Sequence, residues 1–546
     1  EICACLVGSE MCIRDSIKVP SCWETQGFGN YYYGWEEPFG SDETGFYRHR
    51  FHVDKSLKGA DVDLVFEGAM TDTEVKINGR VAGPVHEGGF YRFRYDISRL
   101  LKYGADNTIE VKVRKCPADS SIYRAERQTD FWLFGGIYRP VYLEIKPAAH
   151  IEDIAIDARA DGTLRVLPFL KGVSRKAEVS AFVETLDGRR ISPSVTGMPG
   201  DTLSAAVEGI VPWTQEQPQL YRVFVELYDK GVLKHRVTDK IGFRTVEFRE
   251  NDGLYLNGRR IIFKGVNRHC FWPESGRTLS RDISLKDAEL IKGMNMNAVR
   301  MSHYPPDKEF LEICDSIGLL VIDELCSWQK KYDSEVARRL AQSVVERDRN
   351  HPSVVLWANG NEGGWNTAAD DVYKLHDLQE RFVMHPWERF RGTDTKHYPD
   401  YNYVVNSTIY DRDVYFPTEF MHAIADGGGA ASLSDFWDVM MRHRAPAGGF
   451  IWALLDEGLV RADRNDSIDC RRDLAPDGLL GPYRQKEGSY EAVRQIWAPV
   501  RVTDRIIPEG GDVVLTLEND YMFTDLSECG FKYELADVAM LSLIHI

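Results

Sequence analysis

The hydrophobic pattern changes period at Asn251, and that change limits the fold more than any other feature of the chain. Before it, apolar residues recur at every second position in short runs: VDLVFEGA (62–69), TEVKING (73–79), GFYRFRYDI (89–97) and NTIEVKVRK (107–115), closed by YLEIKP (142–147). A period of two places alternate side chains on opposite faces, so these runs read as half-buried antiparallel strands. INGR (77–80) supplies a hairpin turn. Residues 17–149 are therefore expected to form a jelly-roll β-sandwich, incomplete at its N-terminal side. Residues 150–250 continue the pattern in TLRVLPFL, AEVSAFVETL, YRVFVELYD and HRVTDKIGFR, with DGRR and DKGV as turns. That spacing fits an immunoglobulin-like sandwich, without the Cys–Trp–Cys signature of antibody domains.

After Asn251 apolar strands alternate with amphipathic helices. IIFKGVN (261–267), LLVIDE (319–324), SVVLWANGNE (353–362), YVVNS (403–407), VYFPTE (414–419) and GGFIWALLD (448–456) read as strands. Repeated βα units across residues 251–500 close most simply as a (β/α)₈ barrel. A doubly wound sheet would need a nucleotide motif, and neither GxGxxG nor GxxxxGK[ST] occurs. Residues 501–540, with DVVLTLEND and KYELADV, begin a further β domain that is cut short. Residues 1–16, which show no clear element, and 541–546 resemble translated adapter sequence and are expected to be non-native. Compartment then depends on what precedes them: periplasmic or secreted with a signal peptide upstream, cytoplasmic without one.

Charge narrows the partners. Sixty-seven basic against 84 acidic residues leave a net charge of −17, which repels nucleic acid and anionic membrane. No apolar run reaches the roughly 18 residues of a membrane span. The ten cysteines include no CxxC pair, so a structural zinc site and a disulfide framework are both disfavoured. A homo-oligomer is compatible with this composition.

In a barrel, chemistry sits at the carboxyl ends of the strands. Glu324, Glu362 and Glu419 end strand-like runs, and Glu362 stands in the Gly-rich NGNEGGWN beside Asn359 and Asn361. Two carboxylates facing each other across a barrel mouth suit glycosidic-bond hydrolysis, one protonating the leaving oxygen while the other meets an oxocarbenium-like carbon. Spacing in sequence leaves retention and inversion both open.

Several motifs in fixed order then resemble glycoside hydrolase family 2, the β-galactosidase/β-glucuronidase family, over residues 17–540. They are ETGFYRHRF (43–51), DFWLFGGIYRPVYL (130–143), GVNRHCFWPESGR (265–277), NAVRMSHYPPDKEFLEICDSIGLLVIDE (297–324), WANGNE (357–362), FPTEFMH (416–422) and GGFIWALLDEGL (448–459). The resemblance implies a retaining exo-β-glycosidase, with Glu362 as acid/base and Glu419 as nucleophile. It implies a sugar site built from Asn361, His303, His269, His422 and Trp452, with Tyr410 bonding the nucleophile and Asp130 reaching in from the jelly-roll. The substrate expected is a β-linked oligosaccharide or glycoside. A β-galactosidase is the first reading, with β-glucuronidase, β-mannosidase or another polysaccharide-derived exo-β-glycosidase as alternatives. A non-catalytic carbohydrate-binding protein is the alternative of another class. Trp328 and Lys330 stand where the large β-galactosidases carry magnesium ligands, so that site is expected to be absent and no cofactor to be required. Asp130 and Asp477 are candidates for a structural Na⁺ or Ca²⁺.

Overall fold

The computed structural model describes residues 2–8, 11–34, 42–422, 430–471, 474–504 and 514–532, with side chains from Ser16 onward. The expected strands 532–538 and the terminal 541–546 lie outside these, except for Lys532. Two compact units divide the chain, Glu1–Trp497 and Ala498–Ile546.

The first sandwich pairs Thr44–Val53, Ala105–Arg114 and Asp72–Ile77 in one antiparallel sheet and Val141–Lys146, Asp61–Phe66 and Phe93–Asp96 in the other. Their inward residues, among them Leu64, Phe66, Val75 and Val113, make one core together with Trp23 from the segment before them. The period of two is the alternation between this core and a more exposed face along Ala105–Arg114, but Asp61–Phe66, expected to be half-buried, is buried at every position. Where residues 1–16 offered no clear element, the backbone of Ile2–Gly8 and Met11–Ile17 forms a hairpin against Thr44–Val53. The second sandwich packs His150–Ala158, Thr163–Lys171 and Leu203–Ala206 over Glu178–Thr185, Tyr221–Asp229, Val232–Ile241 and Val195–Gly197.

Among the described residues the third domain has eight barrel strands: β1 (Phe263–Asn267), β2 (Ala298–Arg300), β3 (Leu320–Trp328), β4 (Val354–Asn361), β5 (Val383–Met384), β6 (Thr393–Asp394), β7 (Val414–Tyr415) and β8 (Gly448–Ile451). A parallel sheet runs β5-β4-β3-β2-β1-β8, and β6 pairs parallel with β7. Parallel bridges Tyr415↔Pro446 and Phe420↔Ile451 join the β7 segment to that of β8 and curl the sheet into a barrel. Between β5 and β6 the described residues form no ladder; the Thr395 hydroxyl donates to the His385 carbonyl at 3.2 Å instead.

Two expectations change here. Residues 403–407 lie in a helix, Tyr401–Tyr410, because the Asp400 side chain caps its N-terminus through Tyr403 N–H at 2.8 Å and Val404 and Ser407 face inward one turn apart. The β-branched pair had suggested a strand, but helix capping and an i,i+3 apolar face prevail. Glu324 is not at a strand end either. β3 continues to Trp328 and buries Glu324 completely.

In the second unit Val500–Val502 pairs antiparallel with Leu517–Asn519. Among the described residues no helix is long and apolar enough to cross a membrane.

Candidate active site

Both catalytic candidates follow from how β4 and β7 end. β4 is buried throughout and delivers Asn361 and Glu362 at its carboxyl end. Glu362 then adopts φ 45°, a left-handed conformation that a side chain this size seldom takes outside a constrained site. The surrounding glycines make that turn fit. Gly360 has φ 77°, and a Cβ on Gly364 would lie 1.8 Å from the Ser327 carbonyl oxygen. Glu419 emerges four residues after β7, and its carboxylate is 3% exposed. One carboxylate oxygen of each, together with a nitrogen of His397, all lie within 4.8 Å of one another.

Arg300 at the end of β2 organises the floor. Its Nε and Nη2 donate to Glu324 at 2.7 and 2.9 Å, Nη1 to Glu419 Oε1 at 2.7 Å, and Nη2 to Asn361 Oδ1 at 2.8 Å. Asn267 accepts from Nη1 at 3.0 Å. The other oxygen of Glu419 accepts from the Tyr398 hydroxyl at 2.6 Å. Glu419 is therefore fixed by a guanidinium and a phenol, both donors to its ionised form. Asn361 keeps a buried Nδ2 with no hydrogen-bond partner in the protein, a donor available to a sugar hydroxyl.

The walls are aromatic. His303 and Trp452 stack at 5.0 Å and 14°, and the His422 ring lies nearly parallel to the indole at 6.5 Å and 14°. His269 meets the indole edge-on at 5.5 Å and bonds Tyr304 at 2.8 Å. Burial holds these imidazoles neutral, pulling His303 down to about 3, His422 to about 4 and His269 well below its ordinary value. Asp130 arrives from the first sandwich on a loop locked to the barrel: Trp132 Nε1 donates to the Glu457 carbonyl at 3.0 Å, and Arg277 to the Trp132 carbonyl at 3.2 Å.

Acidic groups dominate the far side. Burial pushes Glu457 up to about 7, Asp477 to about 8 and Asp130 well above the carboxylate range, the last also through the charges of Glu419 and Glu362. Asp477 accepts from Trp452 Nε1 at 2.8 Å, whereas Asp130 Oδ1 and both Glu457 carboxylate oxygens are buried without a hydrogen-bond partner. The side chains of Trp328, in the pocket wall, and of the exposed Lys330 carry no oxygen for a hard cation. Glu362 behaves differently from its acidic neighbours. Burial alone would raise it, but the hydrogen bond and charge of His397 and the Gln329 amide hold it at about 2.

One expected contact is misplaced: Tyr410 is 80% exposed at the end of its helix, and Tyr398 makes the bond to Glu419 instead. Tyr398 follows His397 in a loop whose sequence, TDTKHYPDY, alternates no apolar residues and so carried no signal. Arg300, Gln329, His397 and Glu457 were also not foreseen. Of these, only Arg300 left a trace in sequence, as a charged residue closing the apolar stretch NAVR.

Known proteins match each part of this architecture. The model for the family 2 glycosyl hydrolase sugar binding domain matches residues 5–147, that described as "Glycosyl hydrolases family 2" matches 149–244, and the family's TIM barrel domain matches 246–385. A β-galactosidase of Clostridium acetobutylicum is 31% identical across 95% of this chain and 63% of its own length. One of Halalkalibacterium halodurans is 28% identical across 95% of this chain and 56% of its own. The chain thus spans a little over half the length of such relatives. Among solved structures, a β-glucuronidase from Ruminococcus gnavus superposes with a TM-score of 0.75 at 19% identity, covering 91% of this chain and 96% of that one. A family 2 glycosyl hydrolase from Bacteroides cellulosilyticus gives 0.71 at 20% identity, covering 93% and 73%. At such identities the likeness is one of fold.

Proposed function

We propose that this chain, which belongs to glycosyl hydrolases family 2, carries the catalytic machinery of a retaining exo-β-glycosidase acting on terminal β-galactosides. The observation that carries the reading is the carboxylate pair, with oxygens of Glu362 and Glu419 within 4.8 Å and set in unlike surroundings. Retention needs carboxyl groups about 5–5.5 Å apart, close enough for direct attack on the anomeric carbon; inversion needs about 6.5–9.5 Å to admit a water.

Glu419, aligned by Arg300 and Tyr398, attacks the anomeric carbon while Glu362 protonates the departing oxygen. Water then enters with Glu362 as base and releases a β-configured sugar. Trp452, backed by His303, lines the pocket with His422 and offers aromatic surface for a pyranose, and Asp130 reaching over from the sandwich favours release of single sugars. The choice of a neutral sugar rests on charge. Asp130, Glu362, Glu419, Glu457 and Asp477 line the pocket, and no Lys or Arg is among its described lining residues. A uronate would find no cationic side chain there to pair with its carboxylate. The similarity to named β-galactosidases supports galactose in particular. Asp130 and Asp477 would hold a hard cation such as Na⁺ or Ca²⁺ against the pocket wall.

Covalent capture tests the reading. An activated 2-fluoro-β-galactoside should label wild type on Glu419, and Glu419→Gln should abolish labelling. Glu362→Ala should still form the intermediate from a dinitrophenyl galactoside, stall at hydrolysis and be rescued by azide as the β-galactosyl azide. An α-configured product, or unchanged turnover in either variant, would overturn it.

A further inference from the structure

His397 stands between the two carboxylates. Its Nδ1 lies 2.9 Å from Glu362 Oε1 and 3.3 Å from Glu419 Oε2, and its Nε2 lies 2.9 Å from Thr418 Oγ1. The ring is 1% exposed. Other charged or titratable groups facing it are Glu324 and His303, each in electrostatic reach, and Tyr398, whose ring is 5.9 Å away. Arg300 lies behind Glu324 and Glu419, bonded to both. Lys396 turns away to the Tyr403 ring.

Counting protons in this group limits its states. The Thr418 hydroxyl spends its one proton on the Thr395 carbonyl at 3.2 Å, so toward His397 it accepts, and Nε2 carries a proton. Nδ1 faces only carboxylate oxygens, which cannot donate while ionised. A second proton must therefore lie on the line from Nδ1 to a carboxyl group. Glu419 already accepts from Arg300 and Tyr398, leaving Glu362 as the proton's other resting place. Gln329 Nε2 donates to Glu362 Oε2 at 2.9 Å, which directs exchange to Oε1.

We propose that the proton Glu362 delivers is held jointly with His397, a positioning residue that loads the acid before the glycosidic bond breaks. The proposal rests on the hydrolase reading above. In the first step the proton passes from Nδ1 to Glu362 Oε1 and on to the glycosidic oxygen as the C1–O bond breaks and the bond from Glu419 to C1 forms. Glu362 is left ionised and His397 neutral. In the second step water adds to C1 as the Glu419 ester breaks, and its proton returns through Glu362 to the shared position. The donor is thereby restored without a buried, permanently protonated glutamic acid beside Glu419.

Leaving-group dependence tests this in the full chain. His397→Gln can still donate to Glu362 but stores no transferable proton. It should lose about 10²-fold or more in kcat/KM on methyl β-galactoside at neutral pH, the usual contribution of general acid catalysis. On 2,4-dinitrophenyl β-galactoside, whose leaving group needs no proton, the loss should stay within about threefold. The basic limb of the pH profile for the methyl glycoside should move toward acid. Thr418→Val, which keeps the imidazole but removes the acceptor from Nε2, should shift that limb in the same direction by less. Equal losses on both substrates with a native circular dichroism spectrum, or an unmoved limb, overturn the proposal. If His397→Gln fails to fold, an unmoved limb in Thr418→Val does so alone. Wild type that traps no 2-fluoro sugar overturns the hydrolase reading and this proposal with it; trapping with an unmoved limb overturns the proposal only.

Discussion

Replacing Arg300 by Met should damage stability and activity together, and the structure sets the scale. The guanidinium is fully buried and makes five hydrogen bonds of 3.0 Å or less, two to Glu324 and one each to Glu419, Asn267 and Asn361, besides longer contacts to the Thr418 carbonyl at 3.5 Å and His303 Nδ1 at 3.4 Å. Glu324 is also fully buried and Glu419 nearly so, so neither can turn to bulk water when its cation is gone. Removing one partner of a buried ion pair costs about 3–5 kcal/mol, and this one serves two carboxylates, which puts the expected loss near the upper end. A urea titration followed by circular dichroism measures it. The double variant Arg300→Met/Glu324→Gln removes the stranded charge and should recover roughly half of the loss. Activity should not recover with it, because Glu419 still lacks a donor that aligns it. The expected fall in kcat/KM is on the order of 10²–10³-fold in both variants. A midpoint within error of wild type for Arg300→Met, or restored turnover in the double variant, would refute the reasoning.

Two other outcomes follow from the acidic side of the pocket and from the residues at positions 328 and 330. Burial raises Asp477 from 3.8 to about 8, so the folded state holds a proton that the unfolded chain releases above pH about 4. Its contribution is complete below that pH and lost as pH rises toward 8; Asp477→Asn should therefore be more stable than wild type at pH 9 and no more stable at pH 4, read from urea midpoints. An unchanged pH dependence would show that the carboxyl is ionised throughout. The side chains of Trp328 and Lys330 offer no oxygen ligand, so hydrolysis should survive treatment with a chelator; a loss restored specifically by Mg²⁺ would place its ligands elsewhere.

The order of domains and the two carboxylates were legible in the sequence because each depends on local pattern. A period of two in NTIEVKV is the alternation of a half-buried strand, whereas VDLVF is buried at every position once the other sheet and the next domain cover it. A continuous apolar run such as VVLWA is a strand covered on both faces, here ending at Asn361 with Glu362 next. The readings of NTIEVKV and VVLWA need no knowledge of what lies opposite. The partners of the carboxylates do. Tyr398 and Tyr410 are both tyrosines near the second half of the barrel, and only the closing of Tyr401–Tyr410 into a helix exposes one while the loop before it turns the other onto Glu419. Glu324 looked like a strand-end acid until β3 ran on to Trp328 and enclosed it against Arg300. His397 sits in a segment without periodicity, and its place between Glu362 and Glu419 comes from three chain segments meeting at one barrel mouth. Periodicity records which face of an element is buried, whereas a site of this kind is set by long-range contacts whose residues have no fixed spacing along the chain.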